Sequence, residues 1–482
     1  MHFKVILRVI GLLVMVFSLT LIPPIIVSLI YSDGVWDSFF YAMCINLIGG
    51  FLLWFPVRDH RGELKIRDGF LITVLFWTVL SFFGSVPFFL ADTPDLSFTD
   101  ALFESISGLT TTGATILTGI DELPKSILFY RQLLTWLGGM GIIVLAVAIM
   151  PMLGIGGMQL YRAETPGPIK DTKLTPRIAE TAKALWYIYA TLTCVCALGY
   201  WAAGMSFFDA ICHSFSTVAI GGFSTHDDSI GYFNSVPIEI IATFFMIASS
   251  FNFALHFYAW RHKSVWHYFL DPEARFFLFI IASTVTLSTV VLAMTSTYHW
   301  GTSIRYAVFE SVSIATTSGF STSDFSAWPH FLPFFLIVTS FAGGCASSTG
   351  GGMKVIRILL ILKQGVREIQ RLVHPSAVIP VKVGGKAIPE RVVSSVWGFF
   401  SAYLLVYVIL MIGLMATGLD QVTAWSAVAA TLNNLGPGLG SVSSTFAEVN
   451  DPAKWMLCFS MLLGRLEVFT LLVLFTPMFW QK

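Results

Sequence analysis

Apolar residues in this chain fall in long blocks, with neither the alternation of a half-buried strand nor the one-sided stripe of a surface helix. Residues 5–31, broken only by Arg8, and 39–55 form the first two blocks. Eight more follow at 69–90, 126–153, 182–203, 238–258, 276–294, 331–362, 392–417 and 455–479. A helix needs about 20 apolar residues to cross the hydrocarbon core of a bilayer. The pattern therefore predicts an all-α polytopic membrane protein with ten transmembrane helices. The first block is too long for the apolar core of a cleavable leader and lacks a small-residue cleavage site, so it reads as a retained span.

Between the spans one layout recurs. Residues 98–115 read FTDALFESISGLTTTGAT, and the same frame returns as DAICHSFSTVAIGGFS at 209–224, RYAVFESVSIATTSGFS at 305–321 and TAWSAVAATLNNLGPG at 423–438. Aligned on Gly113, Gly222, Gly319 and Gly436, each copy has an alanine twelve residues earlier: Ala101, Ala210, Ala307 and Ala424. Nine before each glycine stand Glu104, His213, Glu310 and Ala427, so the decoration drifts while the frame holds. Each copy reads as a helix that stops partway, then extended backbone. With their flanking spans they make four pseudo-fourfold membrane–pore–membrane repeats at 69–157, 158–262, 263–372 and 373–482. Two additional spans in 1–68 precede them.

Non-helical backbone survives at membrane depth only where it lines a cavity or is buried in protein. Four re-entrant pore loops meeting on an axis would present rings of backbone carbonyls, which is how potassium-selective filters replace an ion's hydration shell. The candidate filter residues are Thr111, Thr112 and Gly113, then Ile220, Gly221 and Gly222, then Thr317, Ser318 and Gly319, and last Asn434, Leu435 and Gly436. Helix packing by small residues would explain one copy; four in one frame point to an axis. Glu104, His213 and Glu310 read either as groups that attract cations or as structural groups, the buried carboxylates bonding nearby backbone donors, and the structural reading is preferred.

Composition agrees with the blocks. Of 482 residues, 55% are hydrophobic and 12% charged, and mean hydropathy is +0.76. The 28 basic and 28 acidic residues cancel, so nothing suggests a nucleic-acid partner. The six cysteines lack metal-ligand spacing and read as small buried hydrophobes.

Basic residues collect in the connections between repeats: Arg162, Lys170, Lys173, Arg177 and Lys183, then Arg261, Lys263 and Arg275, then a third group from Lys354 to Arg391. The stretches after each filter glycine are poorer, holding Asp121 and Glu122 with Lys125 and Arg131, then Asp227 and Asp228, then Asp324. By the positive-inside rule the connections and both termini are cytoplasmic and the filters open outward. The linker at 363–391 reads equally as topology-setting charge or as a docking surface for a cytoplasmic partner.

Each returning span carries a weak point: Gly138, Gly139 and Gly141 in the first, Ser249, Ser250 and Asn252 in the second. The third has the run Gly343, Gly344, Cys345, Ala346, Ser347, Ser348, Thr349, Gly350, Gly351 and Gly352, with almost no helix preference. It should unwind in mid-span below the filter, where a gate belongs. The fourth places Arg465 within an apolar span, which normally means a bundle interior or an aqueous path. Its offset from Gly436 puts it near the 343–352 loop, as a cationic barrier or as half of a buried pair. No G-x-S-x-G, HExxH or phosphate-loop motif occurs.

GLTTTGAT at 108–115, AIGGFSTHD at 219–227, ATTSGFST at 315–322, NNLGPGLG at 433–440, GGCASSTGGGMKVIR at 343–357 and GRLEVFTLLVLFTP at 464–477 together resemble the Trk/Ktr/HKT superfamily of potassium transporters. The resemblance covers essentially the whole chain. It implies a homodimer in the bacterial inner membrane with one pore per subunit, and potassium as the cargo at the four filter positions. It also implies a gate at the third-repeat loop with Arg465, controlled by a cytoplasmic ring of TrkA-like subunits that bind the nucleotide; no cofactor is expected on this chain. Glycine at all four filter positions resembles potassium-permeable members, whereas a serine in the first goes with sodium transport. Only the glycine is shared between the copies, so looser selectivity against sodium than in TVGYG filters is expected. Potassium–proton symport is the alternative within transport, and a membrane enzyme or receptor the alternative outside it.

Overall fold

The computed structural model describes residues 1–60, 62, 65–141 and 178–481. Arg61, Arg162, Lys170, Lys173 and Arg177 lie outside the described residues, as do the first returning span beyond 141 and the repeat boundary at 157.

Helices α1 (Phe3–Ser18) and α2 (Ile22–Tyr31) run on through one 3-10 turn, and α3 (Trp36–Trp54) returns beside them. The two lines cross at glycines. A Cβ on Gly11 would lie 2.8 Å from the Gly50 carbonyl oxygen, and one on Gly50 would lie 2.8 Å from that of Gly11. Small residues let membrane helices approach this closely.

The chain then repeats one course four times: long helix, short helix, loop, returning helix. The first pass uses α4 (Ile66–Leu90), α5 (Phe98–Leu109) and α6 (Lys125–Gly139). The second uses α7 (Ile178–Ala202), α8 (Phe207–Ala219) and α9 (Val236–Ser250), with α10 (Phe253–Arg261) and α11 (Trp266–Leu270) beyond. The third uses α12 (Pro272–Met294), α13 (Trp300–Ala315) and α14 (Leu332–Ser340), then non-helical chain from 341 to 354 before α15 (Val355–Val373). A two-stranded hairpin, Lys382–Val383 against Lys386–Ala387, leads to the fourth pass. That pass uses α16 (Glu390–Ala416), α17 (Gln421–Leu432) and α18 (Asp451–Arg465), then α19 (Phe469–Leu472) and α20 (Pro477–Trp480).

Among the described residues six helices are long and apolar enough to cross a membrane. Two bent pairs, at 96° after Ser250 and 107° after Arg465, bring the number to eight if each is one span. The remaining two expected spans are the first return, described only to 141, and the third, which is split at 341–354. So the returning spans are not the continuous helices that their hydropathy suggests. They stop at Gly139, Ser250, Ser340 and Arg465, the first three close to the runs of low helix preference. The exterior is apolar, whereas the short helices bury hydroxyls such as Ser105, Ser107 and Thr110. This is a polar interior inside an apolar shell, the arrangement expected when the surroundings are lipid.

Candidate functional site

The four short helices end in the same way. The N–H groups of Thr111, Ile220, Thr317 and Asn434 bond back to the carbonyls three residues earlier, at 2.9, 3.2, 3.0 and 3.2 Å. Those of Thr112, Gly221, Ser318 and Leu435 bond back five residues, at 2.9, 2.9, 2.7 and 2.7 Å. A helix cap of this kind needs one left-handed residue, usually glycine. Here Thr111, Ile220, Thr317 and Asn434 fill that place with φ of 56°, 56°, 66° and 53°. Side chains there are strained, and such strain concentrates at functional sites. The glycines two residues on are left-handed too, at 77°, 70°, 80° and 99°.

The four glycines close a ring. A Cβ on Gly113 would lie 2.1 Å from the carbonyl oxygen of Gly221, one on Gly222 2.2 Å from that of Ser318, and one on Gly319 2.1 Å from that of Leu435. One on Gly436 would return to the Thr112 carbonyl oxygen at 2.8 Å. Each glycine thus makes room for the carbonyl that precedes the next glycine around the ring. Every short helix also delivers its C-terminal end here, and four such ends favour a cation.

The strand beyond each glycine is held from behind by its own short helix. Glu104 accepts the Ile116 N–H at 3.2 Å, and His213 Nε2 meets Ser224 Oγ at 2.9 Å. Glu310 accepts the Thr322 N–H at 2.7 Å, and Ser426 Oγ accepts that of Leu439 at 2.8 Å. Bonding to backbone donors is the role expected for Glu104 and Glu310.

Arg131 is a correction. Counted by sequence with the charges of the outer stretch, it is 1% exposed within α6. It donates to Glu104 at 2.6 Å, to Thr115 Oγ1 at 3.0 Å and to the Ser224 carbonyl at 3.2 Å, and lies over the Phe223 ring at 4.2 Å. A lone arginine inside an apolar run was the available signal.

At the far end of these strands His226 bonds to Asp121, lies 3.6 Å from Asp209 and stacks on Tyr232 at 3.5 Å. Burial works to lower the His226 pKa, but the two carboxylates prevail and raise it. For Asp121 burial works upward, and the His226 contact and the Asp227 N–H bring it below the usual carboxylate range.

The non-helical stretch of the third return lies against the ends of the short helices. Gly351 N–H donates to Thr317 Oγ1 at 2.7 Å and Gly352 N–H to the Asn433 carbonyl at 3.0 Å. Thr349 Oγ1 donates to the Val218 carbonyl at 3.0 Å, and a Cβ on Gly350 would lie 3.1 Å from the Thr316 carbonyl oxygen. Arg465 reaches the same place. Its Nη1 donates to the Thr349 carbonyl at 3.1 Å and to Thr111 Oγ1 at 3.3 Å, its Nη2 to the Gly138 carbonyl at 2.6 Å. Loop and arginine are therefore brought together as their offsets suggest. Glu467 pairs with Arg357.

Sequence reasoning missed Glu273, whose carboxylate accepts the N–H groups of Ala346 at 2.7 Å and Ile356 at 3.2 Å and so ties the loop to the start of α15. Bonds from a side chain to distant backbone leave no local signature, and none could have found it.

A family model described as TrkH, cation transport protein, matches residues 37–482. The chain is similar to the Trk system potassium uptake protein TrkH of Halomonas elongata, 61% identical over 482 residues with 100% of both chains covered. It is 57% identical over 483 residues to the protein of that name from Escherichia coli K12, again with 100% of both covered. The crystal structure of the potassium transporter TrkH from Vibrio parahaemolyticus superposes with a TM-score of 0.91 at 57% identity, over 100% of both chains.

Proposed function

The chain belongs to the TrkH family of cation transport proteins, and from that premise we infer that it takes potassium into a bacterial cell through a channel-like pore in the inner membrane. The family is one of transporters and not of enzymes. The observation that carries the reading is the ring in which each filter glycine faces the carbonyl before the next. Potassium would sit at the carbonyls of Thr111 and Thr112, Ile220 and Gly221, Thr317 and Ser318, and Asn434 and Leu435. The four repeats at 69–157, 158–262, 263–372 and 373–482 surround that axis outside the two spans of 1–68.

The loop from Gly343 to Gly352, with Arg465, is the gate. The contacts of Gly351, Gly352 and Thr349 with three short helices support a position directly beneath the filter. Cytoplasmic termini, a homodimer and a ring of TrkA-like, nucleotide-binding subunits complete the reading. An exposed apolar stripe on α15, formed by Leu362, Val366, Ile369 and Val373, supports a docking partner for this connection.

Uptake of radioactive rubidium by the protein in liposomes tests the proposal. A wild type inert with and without its cytoplasmic partner would end it. Potassium–proton symport is the second reading, favoured by Glu310, which is fully buried with no hydrogen-bond partner for Oε2. A reversal potential that shifts with the proton gradient alone selects symport.

A further inference from the structure

The residue two before each filter glycine offers a side-chain oxygen in three of the four segments. These are Thr111, Thr317 and Asn434, with Ile220 in the fourth. All three are at most 1% exposed, and the two threonine hydroxyls touch the gate. Thr317 Oγ1 accepts the Gly351 N–H of the loop at 2.7 Å. Thr111 Oγ1 takes Arg465 Nη1 at 3.3 Å, and the same nitrogen donates to the loop at Thr349. Asn434 sends Nδ2 to Thr112 Oγ1 at 2.9 Å and to the Met461 carbonyl at 3.0 Å, which fixes the amide orientation. Its Oδ1 is left buried without a hydrogen-bond partner, aimed at Gly464 beside Arg465, where a Cβ would lie 2.7 Å away.

We propose that Thr111, Thr317 and Asn434 form the innermost cation site of the pore, and that the closed gate occupies it by donating hydrogen bonds to the threonine oxygens. The proposal rests on reading the glycine ring as a filter, and adds a competition between gate and ion for the same atoms. A hydroxyl oxygen has two lone pairs. An N–H group or a guanidinium aimed at it puts positive charge where a partly dehydrated alkali cation would stand. Withdrawal of the loop and Arg465 frees both hydroxyls, so opening the gate and completing the site are one event. By linkage, a cation bound at the freed oxygens favours the open loop by the factor with which the open loop favours the cation. Ile220 supplies no side-chain oxygen, so the side-chain part of the site is three-sided and holds its ion more loosely than a four-sided one.

The test is rubidium uptake by the full-length protein in liposomes, measured across a series of potassium concentrations. Thr317→Val keeps the shape and removes the hydroxyl. It should raise uptake in the absence of any partner, because the loop loses an anchor, and also raise the half-saturating potassium concentration about fivefold, the usual effect of one lost hydrogen-bonding oxygen. Thr317→Ser should restore both. Thr111→Val, which touches Arg465 and not the loop backbone, should give the same saturation shift and keeps the test decisive if Thr317→Val fails to insert. Raised uptake with unchanged half-saturation in both valine variants would overturn the site, leaving the hydroxyls as loop anchors only. A wild type with no uptake would instead overturn the transport reading and this inference with it.

Discussion

A Cβ placed on Gly113 would stand 2.1 Å from the carbonyl oxygen of Gly221, in the neighbouring segment of the ring. No side chain tolerates that distance, so any substitution there must move backbone on both sides of the aperture. Gly113 is also left-handed, where a side chain costs about 1–3 kcal/mol. Gly113→Ser should therefore lower the potassium-over-sodium permeability ratio by about tenfold, equivalent to ~1.4 kcal/mol of discrimination. Reversal potentials under bi-ionic conditions measure it, and an unchanged ratio would contradict the assignment of the filter.

Arg465 holds the 343–352 loop by the Thr349 carbonyl and holds α6 by the Gly138 carbonyl. If the pore runs past it as proposed, a guanidinium there would repel a cation by about 4 kcal/mol at 4 Å and an effective dielectric of 20. Arg465→Ala, or deletion of part of the loop, should raise partner-independent potassium flux about tenfold or more. If both variants insert normally and conduct no better than the wild type, the barrier lies elsewhere.

The Arg131–Glu104 pair is buried on both sides. Removing one member of such a pair strands a charge and costs about 3–5 kcal/mol. Arg131→Met should thus destabilise strongly, while Arg131→Met combined with Glu104→Gln should recover much of the loss. Thermal unfolding in detergent compares them. A double variant no better than the single one would show that the contacts to Thr115 and Ser224 matter more than the charge pair.

The contact of His226 with Asp121 predicts a pH window. The raised His226 pKa means that its contribution is full below the ordinary histidine value of 6.5 and fades as pH rises through the higher folded value. The lowered Asp121 pKa means that its contribution is present above the ordinary 3.8 and is lost as pH falls through the folded value. Asp209, Asp227, Tyr232 and the nearby His213 complete the surroundings. Wild-type melting temperature should accordingly decline on the alkaline side, and His226→Gln should flatten that limb. Parallel curves for the two proteins would refute this contribution of His226.

The glycine frame carried most of the site. Ala101, Ala210, Ala307 and Ala424, which served only to align the copies, are all at most 1% exposed, so the frame recorded packing as well as the aperture. The 343–352 run was legible because nine of its ten residues are poor helix formers, and such a run cannot stay helical. The breaks after Ser250 and Arg465 were only half legible, because apolar composition continues straight through both bends. Glu273 was hidden for another reason, and Arg131 showed only as a lone arginine in an apolar run. Each acts on backbone or side chains far along the chain, and hydropathy cannot distinguish a buried ion pair from a charge at a membrane surface.

The ring has one loose joint. Three of its four glycines would bring a Cβ to 2.1 or 2.2 Å from the next carbonyl oxygen, but Gly436 leaves 2.8 Å to Thr112. A hoop of four staves gives way first where the staves meet least tightly. Slack in the aperture should gather at the seam where the last quarter of the chain closes onto the first, and an added methyl should be borne best at Gly436. Two quarters that never adjoin in sequence would then set, between them, how far the opening can stretch to admit a misfit ion.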